Sequence, residues 1–506
     1  MNKPTLNKPT LTDPPTSTPN GLAQCVDAAV GEAHVSDAWA SLIPVLERYI
    51  AIPALSPAFD PQWAESGQIE AAVELVMHWI ADRPIVGMTA RVQRLAGRTP
   101  LIIVDIAAFG PQSPPDPVGE EQSNDGETVL LYGHLDKQPE MSGWRDGLGP
   151  WTPVRLGDRL YGRGGADDGY AAFASLIAIE AVQAAGGRHR RCVLLVEASE
   201  ESGSPDLPAH VEHLLADPEA IGEVGLVLCL DSGCATYDTL WLTTSLRGVV
   251  SVTVEVHVLS EGVHSGSASG VVPSSFRVLR RLLDRLEDSE TGEVLLGAAT
   301  VVVPEHRRAE AAATAAVLGD AERFPVVDGL QLMTTDPVQA LLARTWRPAL
   351  SVTGADGLPP TGRAGNVLRP FTSLKLSLRI PPTADPDAVM EELLNVLGHE
   401  PPSGADVRIS AGDVASGWNA PDLEPWLADA LSAASQARFG QPMQLMGEGG
   451  TIPFMGMLGE RFPHAQFVIT GVLGPDSNAH GPNEFLDLTY AEQLTRCLAD
   501  VLTATA

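Results

Sequence analysis

Residues 128–136 read Thr-Val-Leu-Leu-Tyr-Gly-His-Leu-Asp, an apolar run that ends on a histidine and a carboxylate. The run 128–132 predicts a β-strand. His134 and Asp136 follow it two residues apart, so their side chains can share one face. Open α/β sheets place their sites beyond the carboxyl ends of their strands. The stretch therefore predicts one strand of such a sheet, with a candidate site at its end.

The same succession of apolar run and acidic turn recurs twice. Residues 192–198 and 226–230 predict buried strands, which lead into Glu200-Glu201-Ser202-Gly203 and Asp231-Ser232-Gly233. Further strands are predicted at 90–95, 101–106 and 466–470, and helices at 36–52, 63–80, 168–184 and 423–439. Strands that alternate with helices favour an α/β fold, in which helices flank a mostly parallel central sheet.

The pattern changes near Thr243. Valines alternate with other residues from Val250 to Val258, which predicts a half-exposed strand. Helices and strands then follow in the order β-α-β-β-α-β, which is typical of the split βαβ, or ferredoxin-like, sandwich. We therefore predict an α+β domain over 243–415, inserted into an α/β domain whose two parts are 36–242 and 416–506. Residues 1–35 predict a disordered tail, and the polar insert 111–127 predicts an exposed loop.

The composition limits the partners and the compartment. The chain has 33 basic and 64 acidic residues, for a formal net charge of −31. Such a surface repels nucleic-acid phosphates and anionic membranes, so we expect no nucleic acid and no membrane as partner. No apolar run reaches the roughly 18 residues of a membrane span, and the N-terminal segment lacks the apolar core of a secretory signal. Five cysteines without a pairing scheme suit a reducing compartment, so we predict a cytoplasmic protein.

Imidazoles and carboxylates supply the candidate chemistry. Asp167 and Asp168 lie in a glycine-rich turn, where one carboxylate can bridge two metals about 3.5–4 Å apart. Glu200 and Glu201 are adjacent, so one side chain can bind a metal while the other handles protons. Each motif alone has an ordinary alternative: a helix cap for the aspartates, an exposed turn for the glutamates and a surface position for His264. Together, imidazoles and carboxylates without thiolates suit a pair of divalent metals that activate water.

A family resemblance follows from the order of the motifs. They read Gly-His-Leu-Asp, Gly-Arg-Gly-x-x-Asp-Asp, Glu-Glu-Ser-Gly-Ser, Asp-Ser-Gly, His-Ser-Gly, Glu-Gly-Gly-Thr-Ile-Pro and Ala-His-x-x-Asn-Glu. This set resembles the dinuclear-zinc amidohydrolases, which include carnosinase, cytosolic nonspecific dipeptidase, aminoacylase, succinyl-diaminopimelate desuccinylase and glutamate carboxypeptidase. Residues 134–139, His-Leu-Asp-Lys-Gln-Pro, look like the dipeptidase branch, because deacylase branches more often carry a hydrophobic residue where Gln138 stands.

The resemblance implies a set of metal ligands. One metal would be held by His134 and Asp231 and a second by Glu201 and His480, with Asp167 as the bridge. Zinc is the expected metal, and manganese and cobalt are alternatives. One departure concerns the turn after the aspartates, where Gly169-Tyr170 stands in place of the family's usual Lys-Gly. The packing of that turn is therefore left open by the sequence.

The resemblance also implies roles for other residues. Glu200 would be the general base, and Asp136 would support His134. The inserted domain would act as a lid and dimerisation domain, from which His264 reaches a neighbouring subunit's site and stabilises the oxyanion, so a homodimer is expected. The predicted substrate contacts are Asn366, Arg379 and Thr451.

The predicted activity is hydrolysis of a peptide bond in dipeptides or short peptides with a free C-terminal carboxylate. Water activated by the two metals would attack, and Glu200 would take its proton. An N-acyl-amino-acid deacylase or a carboxypeptidase of the same family is the alternative. An interaction protein without activity is disfavoured, because the base and all five ligand positions are filled.

Overall fold

The computed structural model describes residues 27–110, 127–319, 324 and 326–505. The α-helices among them are α1 (Ala28–Ile50), α2 (Trp63–Ser66), α3 (Gln68–Ala81), α4 (Ala171–Ala184), α5 (Leu207–Leu215), α6 (Pro218–Ile221), α7 (Ser265–Ala268), α8 (Ser275–Leu283), α9 (Glu305–Leu318), α10 (Pro337–Thr345), α11 (Pro386–Gly398), α12 (Pro425–Phe439), α13 (Pro453–Arg461) and α14 (Leu488–Ala504). The strands are β1 (Met88–Gln93), β2 (Leu101–Ile106), β3 (Thr128–His134), β4 (Val154–Leu156), β5 (Arg159–Tyr161), β6 (Cys192–Glu197), β7 (Val224–Cys229), β8 (Trp241–Leu246), β9 (Gly248–His257), β10 (Val263–His264), β11 (Ala349–Asp356), β12 (Val367–Leu368), β13 (Phe371–Ile380), β14 (Asp406–Ala415), β15 (Trp418–Asn419), β16 (Gln444–Glu448), β17 (Gln466–Ile469) and β18 (Phe485–Asp487).

The central sheet has six strands in the order β1-β2-β6-β3-β7-β17. Strands β6, β3, β7 and β17 run parallel to one another. At one edge, β2 pairs antiparallel with β6, and β1 pairs antiparallel with β2. Val129 and Leu131 of β3 pack into a core shared with α1, α4 and α14, whereas Leu130 and Tyr132 pack into a second core shared with α5 and α13. Burial on both faces explains why β3 is a continuous apolar run, and the predicted mostly parallel α/β fold is confirmed.

A second, four-stranded antiparallel sheet has the order β11-β13-β9-β14. Val250, Val252, Val254 and Val256 of β9 all face its core, where residues of α8 and α11 cover them. The strands of this sheet and the two helices that cover it follow one another as β9-α8-β11-β13-α11-β14, which is the predicted β-α-β-β-α-β succession. Helix α11 begins after Asp385, because the side chain of this residue accepts hydrogen bonds from the amides of Asp387 and Ala388.

Part of the range predicted for the insert contacts the α/β part of the chain. Helices α9 and α10 pack against β16, which belongs to a three-stranded sheet of the order β15-β8-β16. The Thr314 hydroxyl of α9 donates to the Leu445 carbonyl of β16 at 2.7 Å. The boundaries 36–242, 243–415 and 416–506 stay a prediction, and these contacts tie the insert to the rest of the molecule.

Three predicted boundaries were wrong. Helix α1 begins at Ala28 rather than at residue 36, because Asp27 caps it and Val35 is buried in the core, so residues 28–35 are not a disordered tail. The helix predicted over 63–80 is interrupted at Gly67, whose φ is 69°. The helix predicted from residue 168 begins at Ala171. The remaining part of the predicted tail, 1–26, and the predicted loop 111–126 lie outside the described residues.

Within the described ranges, none of the helices combines the length and the apolar character that crossing a membrane requires.

Candidate metal centre

The parallel strands deliver the predicted residues to one edge of the sheet. His134 is the last residue of β3. A short 3₁₀ turn after β6 carries Glu200 and Glu201, and Asp231 follows β7 by two residues. Because β6, β3 and β7 are neighbours and parallel, their carboxyl ends meet at the same edge.

Asp167 lies at the centre of the cluster. Its Oδ1 is 3.5 Å from His134 Nε2, and its Oδ2 is 3.0 Å from His480 Nε2. The two oxygens of one carboxylate therefore face two different imidazoles. His134 Nε2 also lies 3.8 Å from Asp231 Oδ2, and His480 Nε2 lies 3.3 Å from Glu201 Oε2. The structure thus brings all five predicted ligands together.

The donor set fits divalent cations. His134 is buried, and its Nε2 has no hydrogen-bond partner among the described residues. Its Nδ1 lies 3.1 Å from the main-chain oxygen of Asp136, which suits the tautomer that leaves the Nε2 lone pair free for a metal. Groups compatible with a metal are His134 with Asp167 and Glu201, and His134 with Asp168 and Asp231.

The carboxylates outnumber the positive groups beside them. In the described part of the chain, the cluster's ion pairs involve histidine and neither lysine nor arginine. Burial and the neighbouring Asp231 raise the pKa of Glu200, and burial and Asp167 raise that of Glu201 to about 8. Burial also raises the pKa of Asp167, but the neighbouring imidazoles of His134 and His480 outweigh it and hold that pKa below its usual range. A bound cation would relieve the repulsion among these carboxylates.

Asp136 has a different set of contacts from the one predicted. Its Oδ1 accepts from the Glu200 amide at 3.1 Å, and its Oδ2 accepts from the Glu201 amide at 3.0 Å. Its Oδ1 is 3.6 Å from His134 Nδ1, which is beyond hydrogen-bond distance. The carboxylate is therefore shared between the turn that carries the glutamates and, at longer range, the imidazole.

Three further residues were missed by the sequence analysis. The side-chain amide of Gln138 donates to Glu201 Oε2 at 2.6 Å. Arg163 pairs with the buried Glu484 and donates to the Gly481 carbonyl at 2.9 Å. This pair fastens the turn of Asp167 to the loop of His480. The motifs contained Arg163 and Glu484, but no local pattern signals a contact between residues so far apart in the chain.

The predicted lid residues lie in two places. His264 of β10 is exposed, and the Asn366 carbonyl accepts from the Ser265 amide at 2.9 Å beside it. Among the described residues, no hydrogen bond or ion pair joins His264 or Asn366 to the cluster at His134. Arg379 of β13 donates to the Thr451 hydroxyl at 2.9 Å, so these two predicted substrate residues do meet.

Arg247 was not predicted and lies near Arg379. It is 9% exposed and donates to main-chain oxygens, including those of Gly449 and Arg347. Burial, followed by the charges of Arg379 and Arg344, lowers the pKa of Arg247 to about 10. Within the described residues, neither Arg247 nor Arg379 forms an ion pair with a carboxylate. Arg247, which is buried, and Arg379, which is half-buried, thus have no carboxylate partner among the described residues, which favours a bound anion.

The unusual Gly169-Tyr170 pair has a packing explanation. A Cβ on Gly169 would lie 2.1 Å from the Tyr49 ring and 2.4 Å from the Gly164 carbonyl oxygen. The buried Tyr170 hydroxyl donates to the Leu230 carbonyl at 2.7 Å, directly before Asp231. The glycine therefore makes room for Tyr49, and the tyrosine links this turn to the next candidate ligand.

The sheet edge with its two imidazoles and surplus of carboxylates defines a metallohydrolase of the α/β class. The model of Peptidase family M20/M25/M40 matches residues 130–504, and the chain belongs to this family of metallopeptidases. It is 30% identical over 400 residues to the cysteinylglycine-S-conjugate dipeptidase of Corynebacterium striatum, covering 76% of this chain and 82% of that protein. It is 25% identical over 387 residues to the Beta-Ala-His dipeptidase of Homo sapiens, covering 71% and 70%. The fold matches the structure of the di-peptidase Dug1p from Saccharomyces cerevisiae with a TM-score of 0.73 at 21% identity, covering 95% of this chain and 99% of that chain.

Proposed function

We propose that the protein hydrolyses the peptide bond of dipeptides or short peptides with a free C-terminal carboxylate, in a reaction that depends on two divalent metals. The observation that carries the proposal is Asp167, whose two oxygens face the imidazoles of His134 and His480. A shared carboxylate of this kind suits a bridge between two metals. The dipeptidases among its relatives support the substrate class.

The two metal sites would share Asp167. His134 and Asp231 would complete one site, and Glu201 and His480 would complete the other. Imidazole and carboxylate donors suit zinc, with manganese and cobalt as alternatives. Bound there, the metals would supply Lewis acidity that polarises the scissile carbonyl and lowers the pKa of the attacking water.

Glu200 is the proposed general base. Its Oε2 lies 3.9 Å from His134 Nε2. Asp136 supports it by accepting its amide hydrogen bond. Glu200 takes a proton from the attacking water and then gives it to the nitrogen of the leaving amine. The same carboxylate therefore serves as base and acid in one turnover.

The substrate carboxylate is assigned to Arg379, with Thr451 beside it. A guanidinium can grip a carboxylate through two parallel hydrogen bonds. Arg247 adds a second positive charge near Arg379, and its burial strengthens attraction for an anion. This requirement for a terminal carboxylate would restrict the enzyme to short peptides, because a longer peptide places an amide at that position.

The oxyanion is assigned to His264 of a second subunit, with Asn366 nearby as a further substrate contact. The exposure of His264 supports a role in trans, as does the absence of a hydrogen bond or ion pair between it and the cluster in the described part of its own chain. We accordingly propose a homodimer through the 243–415 insert, acting as a lid. The described cysteines are free and buried, which suits the proposed cytoplasmic location.

A substrate panel tests the activity. We expect Cys-Gly, its S-alkyl conjugates or β-Ala-His to be cleaved, whereas the same dipeptides with a C-terminal amide should be poor substrates. N-acetyl amino acids serve as the comparison for the deacylase alternative. Faster cleavage of N-acetyl amino acids than of every dipeptide would replace the dipeptidase assignment by the deacylase one.

Metal removal tests the proposed centre. Dialysis against a chelator should abolish cleavage, and zinc, manganese or cobalt supplied separately should restore it. Metal analysis of fully active enzyme should give about two equivalents per chain, as expected for a bridged pair. Full activity with one equivalent or fewer would contradict the bridging role of Asp167.

A further inference from the structure

A further buried carboxylate, Glu197, is hydrogen-bonded to the residues that flank the turn of Glu200 and Glu201. It is the last residue of β6, is 2% exposed and pairs in register with His134 of β3. The three hydroxyl groups around it all donate to its carboxylate. Tyr132 donates to Oε1 at 2.6 Å, Ser204 to Oε1 at 2.8 Å and Ser199 to Oε2 at 3.1 Å.

The two serines flank the turn on both sides. Ser199 precedes Glu200, and Ser204 follows Gly203, so one carboxylate holds both ends of the turn. The Ser204 amide also donates to the Ser199 carbonyl at 3.0 Å, which closes the loop between them. Ser204 adopts a φ of 54°, in the left-handed region that a serine seldom occupies without support from its surroundings.

Asp136 holds the same turn from the other side. It accepts the amides of Glu200 and Glu201, whereas Glu197 accepts the flanking hydroxyls. The main chain at both glutamates is therefore held by two carboxylates. Such support matters here because adjacent residues are assigned different tasks, and a small shift of the turn would misplace both.

We propose that Glu197, acting through Ser199 and Ser204, is a positioning residue that sets the place of Glu200 and Glu201. The proposal rests on the proposed function only in so far as it names Glu200 as the base and Glu201 as a ligand. Glu197 itself touches neither substrate nor metal in this scheme. Its effect is transmitted through the two hydroxyls.

The test uses the full-length Ser199→Ala/Ser204→Ala protein. A displacement of the base by about 1 Å can cost on the order of 10²-fold in rate, so we expect kcat to fall at least about tenfold while KM changes little. Ser435→Ala is the matched control, because its buried hydroxyl bonds the Gln441 carbonyl far from the turn. It should lower the melting temperature without lowering kcat. Equal kcat values for the double variant and the wild type would overturn the proposal.

Glu197 is tested by its two replacements. Glu197→Gln keeps an oxygen that can accept from Tyr132 and Ser204, so it should retain more activity than Glu197→Ala. A purely structural role would lower the melting temperature of both variants and leave kcat of the folded fraction unchanged, which would contradict the proposal. If Glu197→Ala does not fold, the double-serine variant decides, since each of its two substitutions removes only a hydroxyl.

Calorimetric titration of the metal-free proteins with zinc separates this proposal from the proposed function. Displacement of Glu201 should weaken one of the binding events in the double-serine variant but not in Ser435→Ala. This result would stand even if the wild type cleaved none of the dipeptides, in which case only the proposed function would fail. Unchanged zinc affinities at both sites would refute the positioning of Glu201.

Discussion

Glu200 and Glu201 are neighbours in the chain but lie beside different imidazoles. Glu200 is nearest to His134, at 3.9 Å, and Glu201 is nearest to His480, at 3.3 Å. Adjacent side chains leave the backbone in different directions, so the turn can offer one carboxylate to each side of the cluster. We therefore expect Glu200 and Glu201 to have different roles, and substitution of each residue tests this.

Glu200→Gln should keep two metals and lose about 10²–10⁴-fold in kcat, because only proton transfer is removed. Glu201→Gln should instead lose affinity for one metal, because an amide is a poorer ligand than a carboxylate. Metal analysis alongside peptide cleavage measures both effects, with Glu212→Gln, at an exposed position of α5, as the control. Identical metal content and kcat in the two active-site variants would contradict the division.

Gly169 shows how a single residue constrains the turn of Asp167. Gly169→Ala would force its Cβ into the Tyr49 ring and the Gly164 carbonyl, so we expect a loss of stability of about 1–3 kcal/mol. Gly362→Ala is the control, because nothing lies within 4 Å of the added carbon. Urea denaturation measures both, and equal midpoints would show that the turn has room to relax.

At the scale of elements, the candidate ligands lie at the carboxyl ends of β6, β3 and β7. The connections between helices and strands contribute to the stability of the sheet. The connection from α4 to β6 contains His189, which is 1% exposed. Its Nδ1 lies 2.7 Å from the Arg190 carbonyl oxygen, and its Nε2 lies 3.0 Å from Gln183 Nε2. The imidazole is thus enclosed between the helix and the strand that it connects.

His189 predicts a pH dependence of stability. Burial lowers its pKa in the folded protein. The unfolded chain therefore binds more protons as the pH falls below the ordinary histidine value of about 6.5, and the folded state loses stability there. Replacement by glutamine, which does not titrate, should make the free energy of unfolding less dependent on pH between about 6.5 and 5. Denaturation at several pH values measures the slope, and an unchanged slope would exclude His189 as a contributor.

At the scale of the whole molecule, the cluster at His134 is assembled within one chain, whereas His264 is exposed and, among the described residues, forms no hydrogen bond or ion pair with that cluster. Mixed assembly tests whether a second subunit completes the site. His264→Ala and Glu200→Gln proteins should each have little activity alone. After subunit exchange, each mixed dimer would contain one site with both residues intact, so about a quarter of the wild-type activity should return under random pairing. Verified exchange without recovery would place His264 outside the neighbouring site.

Several features of the candidate site followed from local sequence. The buried strands of the central sheet were recognisable because short apolar runs between turns are a local signal, and the insert because alternation along β9 reports one buried face. Asp167, Glu200 and Asp231 were recognisable because each follows directly on a strand or opens a helix. The distances between these side chains could not be predicted, because they depend on which strands are neighbours in the sheet.

The sequence by itself determined the α/β class, the inserted β-α-β-β-α-β succession and the residues that could bind metal, because each depends on patterns within a few residues. Only the tertiary structure decided that Asp136 accepts the amides of both glutamates, that Glu197 holds both ends of their turn, and that Arg163 meets Glu484. These contacts join segments up to 321 residues apart in the chain. They arise from the order and register of strands, which no local pattern of side chains specifies.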